Sequence, residues 1–510
     1  MAKLRFAVMA VFLALILAAC GSGKVMQESY ITSEESMEES KANDKTIEKA
    51  NNEAAETAPL TRQELFLEDL DYMLYVLENN FALFDVAHWA HGADIPAIFE
   101  DLRAIVLNNP NMDVDEFHRA LNQNFSPLVG AAHFDIVGAN FHYKELNDPN
   151  AWGLAVFTRE SLARWNLPHV LEFYEPRYQT APPDINERAQ AMLELGNGLL
   201  SKWVIDIIAL LGERDLANEI TLAMANENFE EAKSLIVKAI KIMDNTPNVT
   251  TGIIEDGRIA YLSVDSFLPF SHEERNSDKE KILSFYEGIQ DFDHLIIDLR
   301  RNGGGDAFIF YETIMGPIIN ERFRASGYAF AVSGEYSEEF LRTVPIGRAF
   351  NYVSLNTPID GRLREVSELL NEFDLPELNM ADMERMDYGF LFQSPPIRPM
   401  YHERFGGQPA FNGKVWLLTG PHMGSATQLS AWVSMESGFA THVGETTGGT
   451  MGGPRTTVAL PNSGILFIFD IYYLTDERGR PLEAGTVPHY FNREGMDALE
   501  TTLALIAEGE

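Results

Sequence analysis

Two segments carry residue types that could do chemistry together. Asp298-Leu-Arg-Arg-Asn-Gly-Gly-Gly305 continues an apolar run, His294 to Ile297, and puts three glycines where a buried strand would end. Glycine has no Cβ, so backbone N–H groups there can approach a ligand oxygen closely. Phosphate is one such ligand, although the chain has neither G-x-G-x-x-G nor a glycine run ending in Lys-Ser/Thr at this place. The oxyanion that develops in acyl transfer is another, and a plain tight turn accounts for the glycines as well. The second segment is Thr419-Gly-Pro-His-Met-Gly-Ser425-Ala-Thr-Gln428. It sets a serine between the apolar stretch Lys414 to Thr419 and a helical pattern from Ser425 to Glu436. A serine so placed serves as a helix N-cap or as a nucleophile whose oxyanion is favoured by the start of the helix.

Two further segments extend the pattern: Val443-Gly-Glu-Thr-Thr-Gly-Gly449 and Leu482-Glu-Ala-Gly-Thr-Val-Pro488. With all four in this order across about residues 250–505, the chain resembles the tail-specific, or C-terminal processing, serine peptidases, relatives of the tricorn core peptidase. The resemblance implies a crotonase-like (ClpP-like) α/β spiral core with Ser425 as nucleophile. It also implies an oxyanion hole from the backbone N–H groups of Ala426 and the Gly303–Gly304 turn. One branch of this family takes its base from a lysine in the threonine-glycine loop. That position here looks like Gly449, and no lysine follows Lys414, so the usual Ser–Lys dyad is excluded. The other branch uses a histidine in an Asp-Gly-His-Thr motif and a glutamate near the C-terminal end. Gly130-Ala-Ala-His133-Phe-Asp resembles that motif with Ala131-Ala132 in place of Asp-Gly and Phe134 in place of a hydroxyl residue, and Glu483 matches the glutamate. Gln428 stands where relatives commonly carry glutamate.

Chemically, a neutral imidazole beside the serine can take its proton and return it to the leaving amine. A carboxylate, a role open to Glu483, would orient the polar groups. His422, His442 and His489 lie within or beside the same motifs and compete with His133 as the base. His133 also reads as a buried histidine at the start of a strand. His272-Glu-Glu-Arg and His402-Glu-Arg lack a second histidine at helical spacing, which argues against a zinc peptidase. Gly424 directly precedes Ser425, so the G-x-S-x-G elbow is absent. No metal and no cofactor are expected. The leading expectation is a serine endopeptidase acting through Ser425, His133 and Glu483 on proteins or peptides. The missing lysine and the altered histidine motif support a second reading, a catalytically inactive relative that binds a peptide or an apolar ligand. An esterase on the same fold is not separated by sequence.

The elements that must position these residues follow from composition and pattern. The chain has 510 residues, 45% of them hydrophobic, enough for about three domains of roughly 150 residues each. Acidic side chains number 76 against 39 basic ones, a net charge of -37, which excludes nucleic acid as a partner of the whole chain. The single cysteine, Cys20, rules out a disulfide framework and any Cys-based zinc or iron–sulfur site within the chain. Lys3 and Arg5 precede an apolar run from Phe6 to Ala19, and Leu17-Ala-Ala-Cys20 looks like a bacterial lipobox. The expectation is therefore a signal peptide over 1–19, a lipidated Cys20 and a disordered tether over 20–59 rich in Glu, Ser, Lys and Asn. Such a protein would be anchored by lipid in the bacterial cell envelope, facing outside the cytoplasm. Thr61-Arg-Gln-Glu64 fits a capping box, and Leu67, Leu70, Leu74 and Leu77 continue at helical spacing, giving a helical domain over 60–128. A mixed segment over 129–248 carries His133 and a helical block from Ile185 to Met243, where relatives often hold a peptide-binding PDZ module. From 249 to 510 strands alternate with helices, which predicts an α/β sheet with crossover connections. The stretch 321–411 breaks this rhythm and reads as a helical insertion.

Overall fold

The computed structural model describes residues 60–510 apart from 129, 148–158, 179–183, 195–198, 269–270, 344–361, 452 and 454. The predicted signal peptide, Cys20 and the tether lie outside the described residues. The chain enters the fold at Thr61, whose side chain accepts from the Glu64 N–H while Glu64 accepts from the Thr61 N–H, the capping box expected there. The helix it starts, Arg62–Asn80, buries Phe66, Leu70, Met73 and Leu77 against the helices Ile95–Asn108 and Val114–Asn124.

Three sheets follow. The largest has six strands in the order β13 (Tyr490–Phe491), β9 (Thr441–Gly444), β8 (Lys414–Thr419), β4 (His294–Asp298), β3 (Ile259–Val264) and β2 (Val249–Glu255). All neighbours pair in parallel except the edge strand β2, which is antiparallel to β3. The middle strands are apolar runs because helices cover both faces of a parallel sheet: Leu295, Ile296, Ile297, Leu417 and Leu418 are fully buried. This is the mixed α/β core that the sequence predicts. The second sheet is antiparallel, with β12 (Tyr473–Asp476), β5 (Ser326–Ala331), β7 (Tyr388–Gln393) and β6 (Arg364–Glu365) in that order. Three of its four strands come from the stretch 321–411, so the expected helical insertion is corrected to a sheet with short helices. Its Tyr-Ala-Phe-Ala and Tyr-Gly-Phe-Leu-Phe runs pair with each other and with β12, and that pairing satisfies backbone groups which the sequence pattern left without partners.

The third sheet positions the chemistry. It joins β1 (Asp135–Ile136), β11 (Leu466–Asp470) and β10 (Arg455–Ala459), all antiparallel. One strand comes from the segment following the N-terminal helices and two from the C-terminal part, and all are buried in the same core as those helices. The helical block is a four-helix unit, Ile185–Glu194, Leu199–Leu210, Arg214–Ala225 and Phe229–Asn245, with its own core of Ile208, Ile220, Ile236 and Ile240.

Candidate active site

Ser425 leaves β8 through a short loop and opens the buried helix Ala426–Ser437. Its backbone sits at φ 53°, ψ -122°, and its side chain makes no capping bond to the helix. A β-carbon-bearing residue held at positive φ is strained by about 1–3 kcal/mol, and the hydroxyl meets the His133 ring instead of the helix end. The sharp strand-to-helix turn of a nucleophile elbow is thus present without the G-x-S-x-G pattern. Gly449 holds this turn from the side: its carbonyl accepts the Ser425 N–H at 3.0 Å.

β1 delivers the histidine. Asp135 pairs with Ile468 and Ile136 with Phe467, and continuing that antiparallel register two residues sets His133 beside Asp470. The His133 Nε2 lies 3.0 Å from the Ser425 Oγ, and its Nδ1 lies 2.5 Å from the Asp470 Oδ2. All three side chains are buried, Asp470 completely. On the other side of Asp470, Arg455 is its cross-strand partner, with Nε 3.4 Å from Oδ1. Burial works against charge on Asp470, but the nearby His133 and Arg455 overcome it and hold the carboxyl below the usual range. Burial, followed by the Arg455 charge, lowers His133 despite the opposing pull of Asp470. A carboxylate and a neutral imidazole are the states that proton abstraction from a serine needs.

Glu483 bonds the backbone on both sides of the site rather than the His133 ring. Its Oε1 accepts from the Ala132 N–H at 3.1 Å and lies 2.7 Å from the His91 Nε2, while its Oε2 accepts from the Met451 N–H at 2.6 Å. It bonds neither the His133 ring nor Ser425; Asp470 takes the ring nitrogen. Among the described residues six non-glycine residues have positive φ, and four of them, Ala132, His133, Ser425 and Thr450, surround this site. Strain gathered at one place marks a constellation held by its surroundings.

The glycine loop and the serine loop leave the C-terminal ends of β4 and β8, which are parallel neighbours. A ligand crevice forms at such strand ends. Asp298 and Arg300 bond each other through Nε at 3.0 Å and Nη2 at 2.7 Å, so this motif pair turns the chain rather than meeting a substrate. Asn302 then ties the loop down. Its Oδ1 accepts from the Gly304 N–H at 2.9 Å and from the Thr427 Oγ1 at 2.7 Å, and its Nδ2 donates to the Val264 carbonyl at 3.0 Å. Of the expected oxyanion donors, the Gly304 N–H is therefore already engaged. The buried N–H groups of Gly303 and Ala426 have no acceptor among the described residues. Gly304 is needed for approach: at φ 122° a Cβ would lie 3.0 Å from the Ser425 Cβ and 3.3 Å from the Ala426 nitrogen.

The competing histidines make their contacts elsewhere. His422 lies 3.3 Å from Asp206 of the helical block. The His442 Nε2 lies 2.9 Å from the Ser434 Oγ, with the ring pushed down to about 3, first by burial. His489 accepts from the His442 N–H at 2.9 Å. Gln428 uses its amide to hold the Leu482 carbonyl and the Thr486 hydroxyl, linking the serine helix to the Glu483 segment. Sequence reasoning missed Asp470, Asn302 and His91 as parts of this site. Asp470 had a signal: it is the one charged residue ending the apolar run Ile465-Leu-Phe-Ile-Phe, and a buried charge requires a partner. Among the described residues no cluster of three or more His, Cys, Asp or Glu could hold a metal ion.

Residues 258–491 match the model of peptidase family S41. Among solved structures the chain is similar to a protein of Parabacteroides merdae at 15% identity, over 86% of this chain and 96% of that one, with a TM-score of 0.43. It is also similar to mature CPAF complexed with lactacystin at 13% identity, over 84% of this chain and 94% of that one, with a TM-score of 0.44. A third is the photosystem II D1 C-terminal processing protease, at 12% identity over 49% of each chain, with a TM-score of 0.28. No curated protein matches the sequence. The matched segment holds Ser425, the glycine loop, Asp470 and Glu483, and His133 reaches it from outside the matched residues.

Proposed function

We propose that this protein is a serine endopeptidase that cleaves peptide bonds in proteins or peptides, with Ser425 as nucleophile and His133 as base. The observation that carries the reading is the buried line Ser425 Oγ, His133 Nε2, His133 Nδ1, Asp470 Oδ2, with contacts of 3.0 and 2.5 Å. In this mechanism His133 takes the Ser425 proton as Oγ attacks the scissile carbonyl carbon. The carbonyl oxygen becomes an anion, for which the Gly303 and Ala426 N–H groups are the donors. His133 then passes the proton to the leaving amine, and water hydrolyses the acyl-enzyme by the reverse proton path. Asp470 keeps the proton of neutral His133 on Nδ1 and stabilises the imidazolium as it forms. Glu483 acts on the backbone around the site rather than on the ring.

The proposal includes the histidine-using branch of the family, a crotonase-like spiral arrangement of the core, and anchoring in a bacterial envelope through lipidated Cys20. The anchor has its own check, because Cys20→Ser should move the protein from membranes to the soluble fraction. The activity is tested with the chain from residue 60 onward, incubated with a denatured protein beside its Ser425→Ala variant. Cleavage by the parent alone is the expected result. Cleavage by neither, with both folded, would replace this reading with that of an inactive relative that binds a peptide or an apolar ligand.

A further inference from the structure

The helix Val86–His91 belongs to the N-terminal helical part, yet two of its side chains end on the peptidase part. The Trp89 Nε1 donates to the Asp382 Oδ1 at 3.2 Å, and Asp382 is itself held by the Tyr473 hydroxyl at 3.0 Å. The His91 Nε2 lies 2.7 Å from the Glu483 Oε1. We infer that His91 is a positioning residue for the reaction: paired with Glu483, it holds the carboxylate that fixes the two strained turns between which Ser425 and His133 meet. The inference rests on the proposed peptidase reading for its catalytic consequence, but not for the clamp itself.

Three observations support it. The Glu483 side chain is 1% exposed and faces the His91 ring and two donors, the Ala132 and Met451 N–H groups. Each of its oxygens accepts from a backbone N–H group, and a buried carboxylate needs a countercharge. Among the described residues His91 is the one cationic side chain within ion-pair distance of it. Burial alone would lower the His91 ring, but the hydrogen bond and charge of Glu483 outweigh it and keep the ring protonated to higher pH.

The two backbone groups that Glu483 holds are the ones that matter. Ala132, at φ 43°, ψ 41°, directly precedes His133, itself at φ 52°. Met451 follows Thr450, at φ 60°, in the loop whose Gly449 carbonyl accepts the Ser425 N–H. One carboxylate therefore spans from the turn that carries the base to the loop that holds the nucleophile. Releasing it lets both turns relax toward unstrained backbone, and the 3.0 Å contact between His133 and Ser425 is lost.

The test uses the full chain and its His91→Ala and His91→Gln variants, with a quenched fluorescent peptide as substrate and hydrogen exchange as a second readout. Loss of a hydrogen bond to a charged group predicts a fall in kcat of about tenfold or more for His91→Ala, with KM within about twofold. Added imidazole should restore part of it, because the His91 side chain is 20% exposed and its place is reachable from solvent. His91→Gln, which keeps a donor but no charge, should lie between. Amides in 130–136 and 446–451 should exchange faster together, by about tenfold, in the alanine variant. Unchanged kcat with no imidazole effect, or unchanged exchange in the two segments, overturns the inference. If His91→Ala does not fold, the glutamine variant carries both readouts. If the parent cleaves nothing, the peptidase reading fails while exchange still decides whether His91 and Glu483 clamp the two turns.

Discussion

Replacing Asp470 with asparagine separates the two carboxylates that could serve the histidine. Asp470 accepts from the His133 Nδ1 at 2.5 Å and is completely buried. An imidazolium and a carboxylate about 4 Å apart between charge centres attract by about 4 kcal/mol at an effective dielectric constant of about 20, and Asp470→Asn removes this attraction from the transition state. The new amide can also donate to Nδ1, which moves the ring proton to Nε2 and turns it toward the serine oxygen. Together these effects place the loss in kcat at about 10³–10⁴-fold, the range seen when the carboxylate of a Ser-His-Asp arrangement is neutralised, or about 4–5.5 kcal/mol. KM should change little, because Asp470 is completely buried. Asp470 raises the His133 ring, so the residual activity of the variant should persist to lower pH than that of the parent. Glu483→Gln should cost less, because Glu483 touches backbone and His91 rather than the ring. Steady-state kinetics on a peptide substrate, with thermal melts to show folding, is the assay. An Asp470→Asn enzyme within tenfold of the parent, or a Glu483→Gln enzyme more damaged than it, would refute the assignment.

Gly304→Ala should lower kcat by about 10²–10³-fold, the usual effect of disturbing an oxyanion site. Its Cβ would lie 3.0 Å from both the Ser425 Cβ and the Gly424 carbonyl, at φ 122°; near-normal turnover would show that this loop does not shape the site. Arg455→Met should shift the acid limb of the pH–rate profile upward. After burial, the Arg455 charge is what depresses His133, so removing it raises the ring pKa and activity is lost at higher pH as pH falls. A pH series on both proteins checks the direction, and an unmoved or lowered limb contradicts it.

The α/β core was legible because its strands are buried on both faces: His294–Asp298 and Lys414–Thr419 are apolar runs bounded by glycine loops, the pattern of parallel strands. The place of Ser425 between strand and helix was legible, but that place alone fits an N-cap serine as well, and the resemblance singled the residue out. His133 could be named only through resemblance, since nothing local distinguishes it from another buried histidine; its partner Asp470 is 337 residues away in the chain. That contact depends on β1, only two residues long, pairing with β11, and no periodicity announces a strand so short. Asp470 is hidden for a related reason: in sequence it is one acid closing an apolar strand, and its role appears only when β11 lies beside β1. The stretch 321–411 was misread because its strands Ser326–Ala331 and Tyr388–Gln393 pair across a long separation, and sequence spacing does not show such pairing.

Gly449 leaves no room in its own loop for a base. It stands at φ 71°, and a Cβ there would fall 2.0 Å from the Glu483 carbonyl oxygen. No side chain, lysine included, fits this position without moving the segment that carries Glu483. Its own carbonyl is committed to the Ser425 N–H, and the next two residues lead directly to the Met451 N–H that Glu483 accepts. This loop is thus occupied in holding the Ser425 turn and in meeting one end of the Glu483 carboxylate. The ring that does reach the Ser425 hydroxyl comes along β1, where His133 and Asp470 face each other across one antiparallel pair. On the proposed reading the N-terminal part supplies the base, His133, and, through His91, a partner for the carboxylate that bonds the Ala132 N–H beside it.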